Sequence, residues 1–573
     1  MKGVLVLALV SLATTGQTFV LNTDGAGHYA HWNLLSPTAG VSTNIINLNT
    51  RAVRYFLASD AYSGANAAAE LNALRGCFAQ WMAVSNSYVK FEEGGLVAPP
   101  VDVNSSDNRN VVYWTKSSTM VNGGLNNISG SLGVTFTTWQ STDMSLKHAD
   151  IVFNGVQFTW FTDPGDPTTT MQFVDGVALH EIGHFIGLTH SPVGGATMFW
   201  RSGGGVNPWA GLHADDCAGV RFLYPTNAAN YGTLKGTVLK NGLPVLGAAV
   251  TAYDSVTNAI ASTLTQSNGG YRLYRLAPGA YRLRVTPLDN ISFATRLCSG
   301  YDVAPDYDGA DTNFLPTATS SATVTIGTTN TLDFTVTDGA PAFRISRIAT
   351  PTTSLDAFGY SGVPAQLRAG QSNYYVGVAS ANLPTNNATF TVSGNGLNFG
   401  PLTYLTANGL NFIFVPLKIS SNATPGLRDF IVSKGSDTNY APGYLAILPT
   451  VTDDNFDGLD DSFQRKYFAP FTSTNASPIA DPDGDKFNNQ AEYVSGTVPT
   501  NGASFLKVDS VTTTASGSTV RWLGSSGRRY QVSSRTDLSS AGWQDIGPVL
   551  SSTNYFDNTA TNGARYYRVR ALP

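Results

Sequence analysis

His180-Glu181-Ile182-Gly183-His184-Phe185-Ile186-Gly187-Leu188-Thr189-His190 is the stretch from which the rest of the chain is read. On a helix, residues four apart stand one turn above another on the same face. His180 and His184 can therefore bring two imidazole nitrogens to one Zn²⁺ at about 2.0–2.1 Å. Glu181 lies beside the first of them, within reach of a water on the metal without being a ligand. Gly187 frees the chain to leave the helix at positive φ, and the turn delivers His190 as a third ligand. Three protein ligands leave a fourth position open, the arrangement of a catalytic rather than a structural zinc. The alternative, histidines packed on an apolar helix face, fits poorly. Five specified positions fall within eleven residues, and three of the chain's seven histidines are among them.

Working outward, all seven histidines (His28, His31, His148, His180, His184, His190 and His213) lie within residues 22–226, so imidazole chemistry is confined to a first domain. Leu71, Leu74, Cys77, Phe78, Trp81 and Met82 recur with helical spacing over 67–82. β-Branched and aromatic residues predict strands over 110–115, 133–139 and 149–154. A second helix is predicted over about 172–189 and a third over about 214–223, where Ala214-Asp215-Asp216 suits an N-terminal end.

Met198 follows His190 by eight residues, the spacing of the Met-turn in metzincins. Phe78-Ala79-Gln80-Trp81, His148-Ala149-Asp150-Ile151-Val152-Phe153 and Leu212-His213-Ala214-Asp215-Asp216-Cys217-Ala218-Gly219-Val220 add to it. On these motifs residues 22–226 resemble the catalytic domain of a matrixin-type metzincin. The resemblance implies an α+β domain with a mixed sheet and three helices, one catalytic zinc, and polypeptide substrates. It implies Glu181 as general base, Met198 as the Met-turn support, and Asp215 and Asp216 bracing the floor of the site. Taken alone, the two aspartates read equally well as helix N-terminal charge. The resemblance also implies that an extended peptide adds to strand 133–139, which by itself reads as an ordinary edge strand. No Pro-Arg-Cys-Gly segment precedes the domain, so a cysteine switch is not expected. The Gly-Gly and Leu-Ala-His elements of a second, structural zinc are replaced by Phe161-Thr162-Asp163-Pro164-Gly165-Asp166-Pro167, so a second zinc is not expected either. Trp200 stands where many relatives carry proline, which leaves the pocket wall from Phe199 to His213 unread. Cys77 and Cys217 fit either a disulfide or two buried thiols.

At 573 residues the chain should hold about three to five domains. Charged residues are 13%, about half the usual share, while hydrophobic residues are 42% and glycines number 57. That mix suits β-rich, turn-rich extracellular modules. A net charge of −5 without a basic run argues against a nucleic-acid partner. Three cysteines (Cys77, Cys217 and Cys298) are too few for a disulfide scaffold. Met1-Lys2 and the apolar run behind it read as a secretory signal peptide over 1–17. No later segment is apolar for long enough to be a transmembrane helix, so a secreted or cell-surface protein is expected.

Gly236-Thr237-Val238, Gly269-Gly270-Tyr271 and Leu276-Ala277-Pro278-Gly279-Ala280-Tyr281 make residues 231–338 resemble a carboxypeptidase regulatory-like β-sandwich, which implies a spacer or binding unit. Residues 341–449, with Ala423-Thr424-Pro425-Gly426 leading into a strand, resemble an immunoglobulin-like sandwich. Residues 452–502 form an acidic connector. Asp481, Asp483, Asp485, Asn489 and Glu492 occupy positions 1, 3, 5, 9 and 12 of a loop, a spacing suited to calcium. Gly484 at position 4 departs from an EF-hand, and the loop resembles the calcium repeats of thrombospondin type 3 regions. Asp453, Asn455, Asp457 and Asp461 form a second candidate calcium loop, with Gln464 at position 12. A solvated acidic linker is the alternative for both. In a C-terminal β-module over 503–573, Trp522, Tyr530, Trp543 and Tyr566 are expected in the core, with a carbohydrate-stacking face as the alternative.

The expectation is a multidomain chain, an α+β catalytic domain followed by all-β sandwich modules. It would act as a secreted zinc endopeptidase with a calcium-stiffened connector, and its β-modules would bind extracellular proteins or carbohydrates. The rival is an adhesion or extracellular-matrix-binding protein with a vestigial or narrow-specificity peptidase domain. Glu181 argues against that rival, because a decayed site can lose its base while keeping its fold.

Overall fold

Helix α1 (Ala67–Met82) forms where the apolar spacing predicts it, and Leu71, Leu74, Cys77, Phe78 and Trp81 are its buried face. That face meets a mixed sheet. Strands Phe91–Val97, Ala52–Ala58, Val111–Thr115 and Leu146–Asn154 lie parallel in that order, and Gly133–Trp139 closes the sheet antiparallel as its edge. Phe78 stacks on Tyr55 with ring centroids 3.8 Å apart and meets Phe185 edge-on. Through these rings α1 carries the sheet's packing to helix α2 (Val174–Phe185).

Helix α2 is shorter than the sequence predicts at both ends. Gln172–Phe173 pairs as a short parallel strand with Trp160–Phe161. At the other end Gly187 takes φ 105°, and a Cβ there would run into the Ala30 carbonyl, so no other residue fits the turn. The carbonyls freed at that end are not left bare. Trp32 Nε1 donates to the Phe185 carbonyl at 2.8 Å and the Tyr224 hydroxyl to that of Ile186 at 2.8 Å. Helix α3 (Ala214–Leu223) matches its predicted span. Cys77, Cys217 and Cys298 are free thiols, so the bridge between Cys77 and Cys217 is not formed. Cys77 is fully buried and its Sγ donates to the Asp175 carbonyl at 3.5 Å.

The structure is a computed structural model and describes residues 21–22, 28–37, 41–162, 170–205, 207–226, 230–289, 296–317, 320–453, 457–468, 471–525, 528–537, 542–560 and 563–572. The expected signal peptide (1–17), Asn455, and Asp163 to Pro167 lie outside these residues. The chain divides into two units, Met1–Phe456 and Asp457–Pro573.

In the first unit, two β-sandwiches follow the α/β body. One sheet of the nearer sandwich contains Gly232–Lys240 and Gly270–Leu276; the other contains Ala259–Leu264, Ala249–Tyr253, Gly279–Thr286 and Ser320–Val324. A single apolar cluster runs from α1 and α2 through Val220 and Leu223 into Leu234, Tyr271 and Leu283 of this sandwich. Phe222 of α3 also packs on Tyr274, centroids 4.5 Å apart. The farther sandwich is built around Tyr374–Ser380 and Leu410–Ile419 on one side and Gly426–Lys434 and Asp437–Leu448 on the other. Its Asp429, fully buried, pairs with Arg284 of the nearer sandwich.

The second unit carries two short helices, Asp461–Tyr467 and Asn489–Ser495, and two three-stranded sheets. Trp522 and Tyr530 are core residues there. Tyr566 is not: it sits on the exposed side of its alternating strand, 39% accessible. Trp543 is half-buried and flanked by the guanidinium groups of Arg535 and Arg568.

Candidate metal centre and peptide cleft

His180 and His184 project from one face of α2, with their Nε2 atoms 3.2 Å apart. His190 returns on the turn after Gly187, and one ligand atom from each of the three rings lies within 4.8 Å of the others. Each Nδ1 is tied to a main-chain carbonyl: His180 to Thr197 at 2.7 Å, His184 to Leu188 at 2.9 Å and His190 to Asp302 at 2.5 Å. A carbonyl can only accept, so every Nδ1 carries the proton and every Nε2 presents a lone pair. Three lone pairs converging at this spacing repel one another unless a cation lies among them. Burial keeps all three imidazoles neutral, and neighbouring rings add to this at His180 and His184. This donor set fits Zn²⁺.

Glu181, buried, hangs between α2 and the edge strand Gly133–Trp139. Its Oε2 accepts from Thr135 Oγ1 at 2.7 Å, and the same hydroxyl reaches the Glu181 carbonyl at 2.9 Å. Burial pushes the carboxyl up to about 7, and the Thr135 hydrogen bond opposes that shift. Gly133 is what permits the approach, since a Cβ there would stand 2.9 Å from Glu181 Cγ. A cleft of about 650 Å³ runs along this strand, past Glu181 and the three histidines, to Trp200, Arg201 and Trp209. Trp209 stacks on His180 at 4.1 Å between centroids. Thr135 and Trp209 carry no sequence signal of their own. They are found only once the strand and the loop before α3 are folded over α2.

The residues beneath the histidines are brought together too. Met198 is buried, and a Cβ on Gly183 would run into its Sδ, so the thioether lies against α2 between the ligand turns. Asp216 accepts from the backbone N–H groups of Thr197, Met198 and His213, each at 2.9 Å. Its neighbour Asp215 points elsewhere. It accepts from Ser191 Oγ at 2.6 Å and from the Ser262 N–H at 2.6 Å, and Ser262 belongs to the next sandwich.

In the second unit Asp481, Asp483 and Asp485 gather within 4.8 Å. Asn489 and Glu492, both fully buried, come from the helix that follows. Asp483 Oδ2, Asp485 Oδ2, Asn489 Oδ1 and Glu492 Oε2 are buried with no hydrogen-bond partner. Burial, then the charge of Asp483, pushes Glu492 up to about 7. Of the other acidic loop, Asp453 and Asp461 are buried, and Asp457 accepts from Gln464 Nε2 at 2.7 Å.

Two family matches agree with this geometry. Residues 48–225 match the matrixin family, and residues 233–306 match the carboxypeptidase regulatory-like domain. The chain thus contains a matrixin domain followed by a carboxypeptidase regulatory-like domain, and at the level of the family the first is a metallopeptidase domain. Over 61 residues the chain is 44% identical to Metalloendoproteinase 5-MMP of Arabidopsis thaliana. The match covers 11% of this chain and spans only 17% of that relative's length. Among solved structures, 5-hydroxyisourate hydrolase of Klebsiella pneumoniae is similar at 18% identity and a TM-score of 0.13, over 19% of this chain and 87% of that one. BcpA, the major pilin subunit of Bacillus cereus, is similar at 10% identity and a TM-score of 0.15, over 40% and 74%. Scores this low carry no argument about function. Among the described residues, no helix is long and apolar enough to cross a membrane.

Proposed function

We propose that this protein is a secreted zinc endopeptidase that holds its metal on His180, His184 and His190 and uses Glu181 as general base. The observation that supports it best is the convergence of three carbonyl-anchored imidazoles beside a buried carboxylate on an open cleft. Bound zinc would supply Lewis acidity, polarising a scissile carbonyl and acidifying a water. The chain's own groups do the rest. The edge strand Gly133–Trp139 offers free backbone donors and acceptors along the cleft, onto which an extended peptide can add as a further strand. Thr135 holds one oxygen of Glu181, so the carboxylate is oriented before substrate arrives. Glu181 takes the proton of the attacking water and returns it to the leaving amine. Trp209 fixes the plane of the His180 ring and shields it from water.

The test is metal content and peptide-library cleavage of the mature full-length protein beside Glu181→Gln. The expected result is about one zinc in both proteins, with cleavage in the variant reduced roughly 10²–10⁴-fold. Folded wild-type protein that takes up no zinc, or a variant that cleaves like wild type, would overturn the reading.

For the acidic connector, the Asp481 loop is proposed to bind Ca²⁺. Four buried oxygens without partners on one loop and its following helix are the supporting observation, since orphaned buried acceptors are costly and a hard cation satisfies them. Calcium there would be structural.

A further inference from the structure

Two of the three histidines are oriented from within the domain that carries them, and the third is not. His190 Nδ1 donates to the carbonyl of Asp302, 112 residues further along the chain, and the His190 N–H donates to the carbonyl of Val303 at 3.3 Å. Both acceptors lie on a one-turn helix, Gly300–Val303, in the second module. The same segment reaches the cleft wall: Trp200 Nε1 donates to the Leu297 carbonyl at 2.8 Å, and the Arg296 guanidinium lies 5.6 Å from the Trp200 ring. The segment is itself held by one buried carboxylate. Asp302 accepts from Ser299 N and Ser299 Oγ, both at 2.8 Å, and takes both prongs of Arg296, with Nε at 2.6 Å.

We propose that residues 296–303 of the carboxypeptidase regulatory-like module are a working part of the peptidase site. Their carbonyls fix the His190 ring and the Trp200 wall, and Arg296 and Asp302 act as positioning residues. This rests on the zinc peptidase reading. The physical reason lies in where His190 stands. It follows the end of α2 on a glycine turn, so no helix sets its ring. A carbonyl on Nδ1 fixes its tautomer and rotamer together and aims Nε2 at the other two nitrogens. A freely turning His190 would have to be ordered by the metal itself, and affinity would fall.

The experiment uses full-length protein: wild type, Arg296→Ala, Arg296→Lys, the near-isosteric Asp302→Asn, and the control Asp333→Ala. The control removes a carboxylate from the same module, where it accepts only from Thr237 among the hydrogen bonds described. Zinc affinity of metal-stripped protein is measured by chelator competition, with circular dichroism for folding and kcat and KM for cleavage. Arg296→Ala and Asp302→Asn should weaken zinc roughly 10–100-fold, as loss of a ligand's supporting partner does elsewhere. Arg296→Lys should recover part of that loss, and Asp333→Ala should match wild type. KM should rise along with the fall in kcat, because the Trp200 wall loosens too. If Arg296→Ala does not fold, Asp302→Asn decides. Folded variants that hold zinc within about threefold of wild type overturn the proposal, as does an equal loss in Asp333→Ala. Wild type that binds no zinc overturns the peptidase reading instead, so the two failures are distinguishable.

Discussion

Asp215 and Asp216 are adjacent, buried and chemically identical, yet they serve different bodies of the protein. Asp216 collects the N–H groups of Thr197 and Met198 and that of His213 at the start of its own helix, while Asp215 ties Ser191 to Ser262 of the next module. The resemblance implies one role for both, bracing the floor of the site, and nothing in the sequence separates the two. Asp216→Ala would leave two buried donors, the Thr197 and Met198 N–H groups, unpaired beneath the three histidines, and a half-buried one at His213. It should cost about 3 kcal/mol or more of stability in urea unfolding, and the Met198 turn should lose its order before α1 or the sheet does. At this scale the legible residues were those whose spacing along one helix is itself the geometry: His180, Glu181 and His184. Thr135 and Trp209 act through space on that helix from distant segments. No periodicity marks them.

At the scale of elements, the site is the crossing of α2 with the edge strand Gly133–Trp139. Because the strand pairs on one side only, among the described residues, its other edge is available to a peptide. Gly133 sits at the crossing, where a side chain would meet Glu181. Gly133→Ala should therefore push the carboxylate off its Thr135 anchor and lower cleavage roughly tenfold to a hundredfold while zinc content stays at wild-type level. A variant with unchanged turnover would show that Glu181 has room to spare. Helix α1 is legible because its apolar residues recur with helical spacing, and α3 because Asp215 and Asp216 suit an N-terminal end. Helix α2 was over-extended in the sequence reading because its flanks, Gln172–Phe173 and Leu188–Thr189, are as apolar as its middle. Only the pairing with Trp160–Phe161 and the Gly187 turn end it.

At the scale of the molecule, the two sandwiches of the first unit are not beads on a string. The Arg284–Asp429 pair is buried between them, with Arg284 also lying over Tyr253 and Tyr440 at 4.8 and 4.0 Å. Asp429→Ala would strand the guanidinium in the interface. It should destabilise the first unit by about 3–5 kcal/mol, read as a lower thermal midpoint, whereas a midpoint shared with wild type would mean that water reaches Arg284. In the second unit, calcium at roughly 10 mM should raise the melting temperature of residues 457–573 by several degrees, given extracellular-type affinities of about 10⁻⁴–10⁻³ M. Glu492→Gln should abolish most of that shift in calorimetry, and a shift that survives would place the ion elsewhere.

By itself the sequence determined which groups stand together locally: the histidines that could hold a zinc, the carboxylate beside them, and the β-modules that follow. It could do so because these facts depend on neighbours three to ten residues apart, where backbone geometry is nearly fixed. Only the tertiary structure decided what orients that chemistry. His190 takes its tautomer from Asp302, Asp215 ties itself to Ser262, and Glu181 is held by Thr135. These are a few hydrogen bonds between segments tens to more than a hundred residues apart. A main-chain carbonyl, a backbone N–H or a lone hydroxyl carries no sequence signature of its partner, so such bonds form only once the apolar cores have brought the segments together.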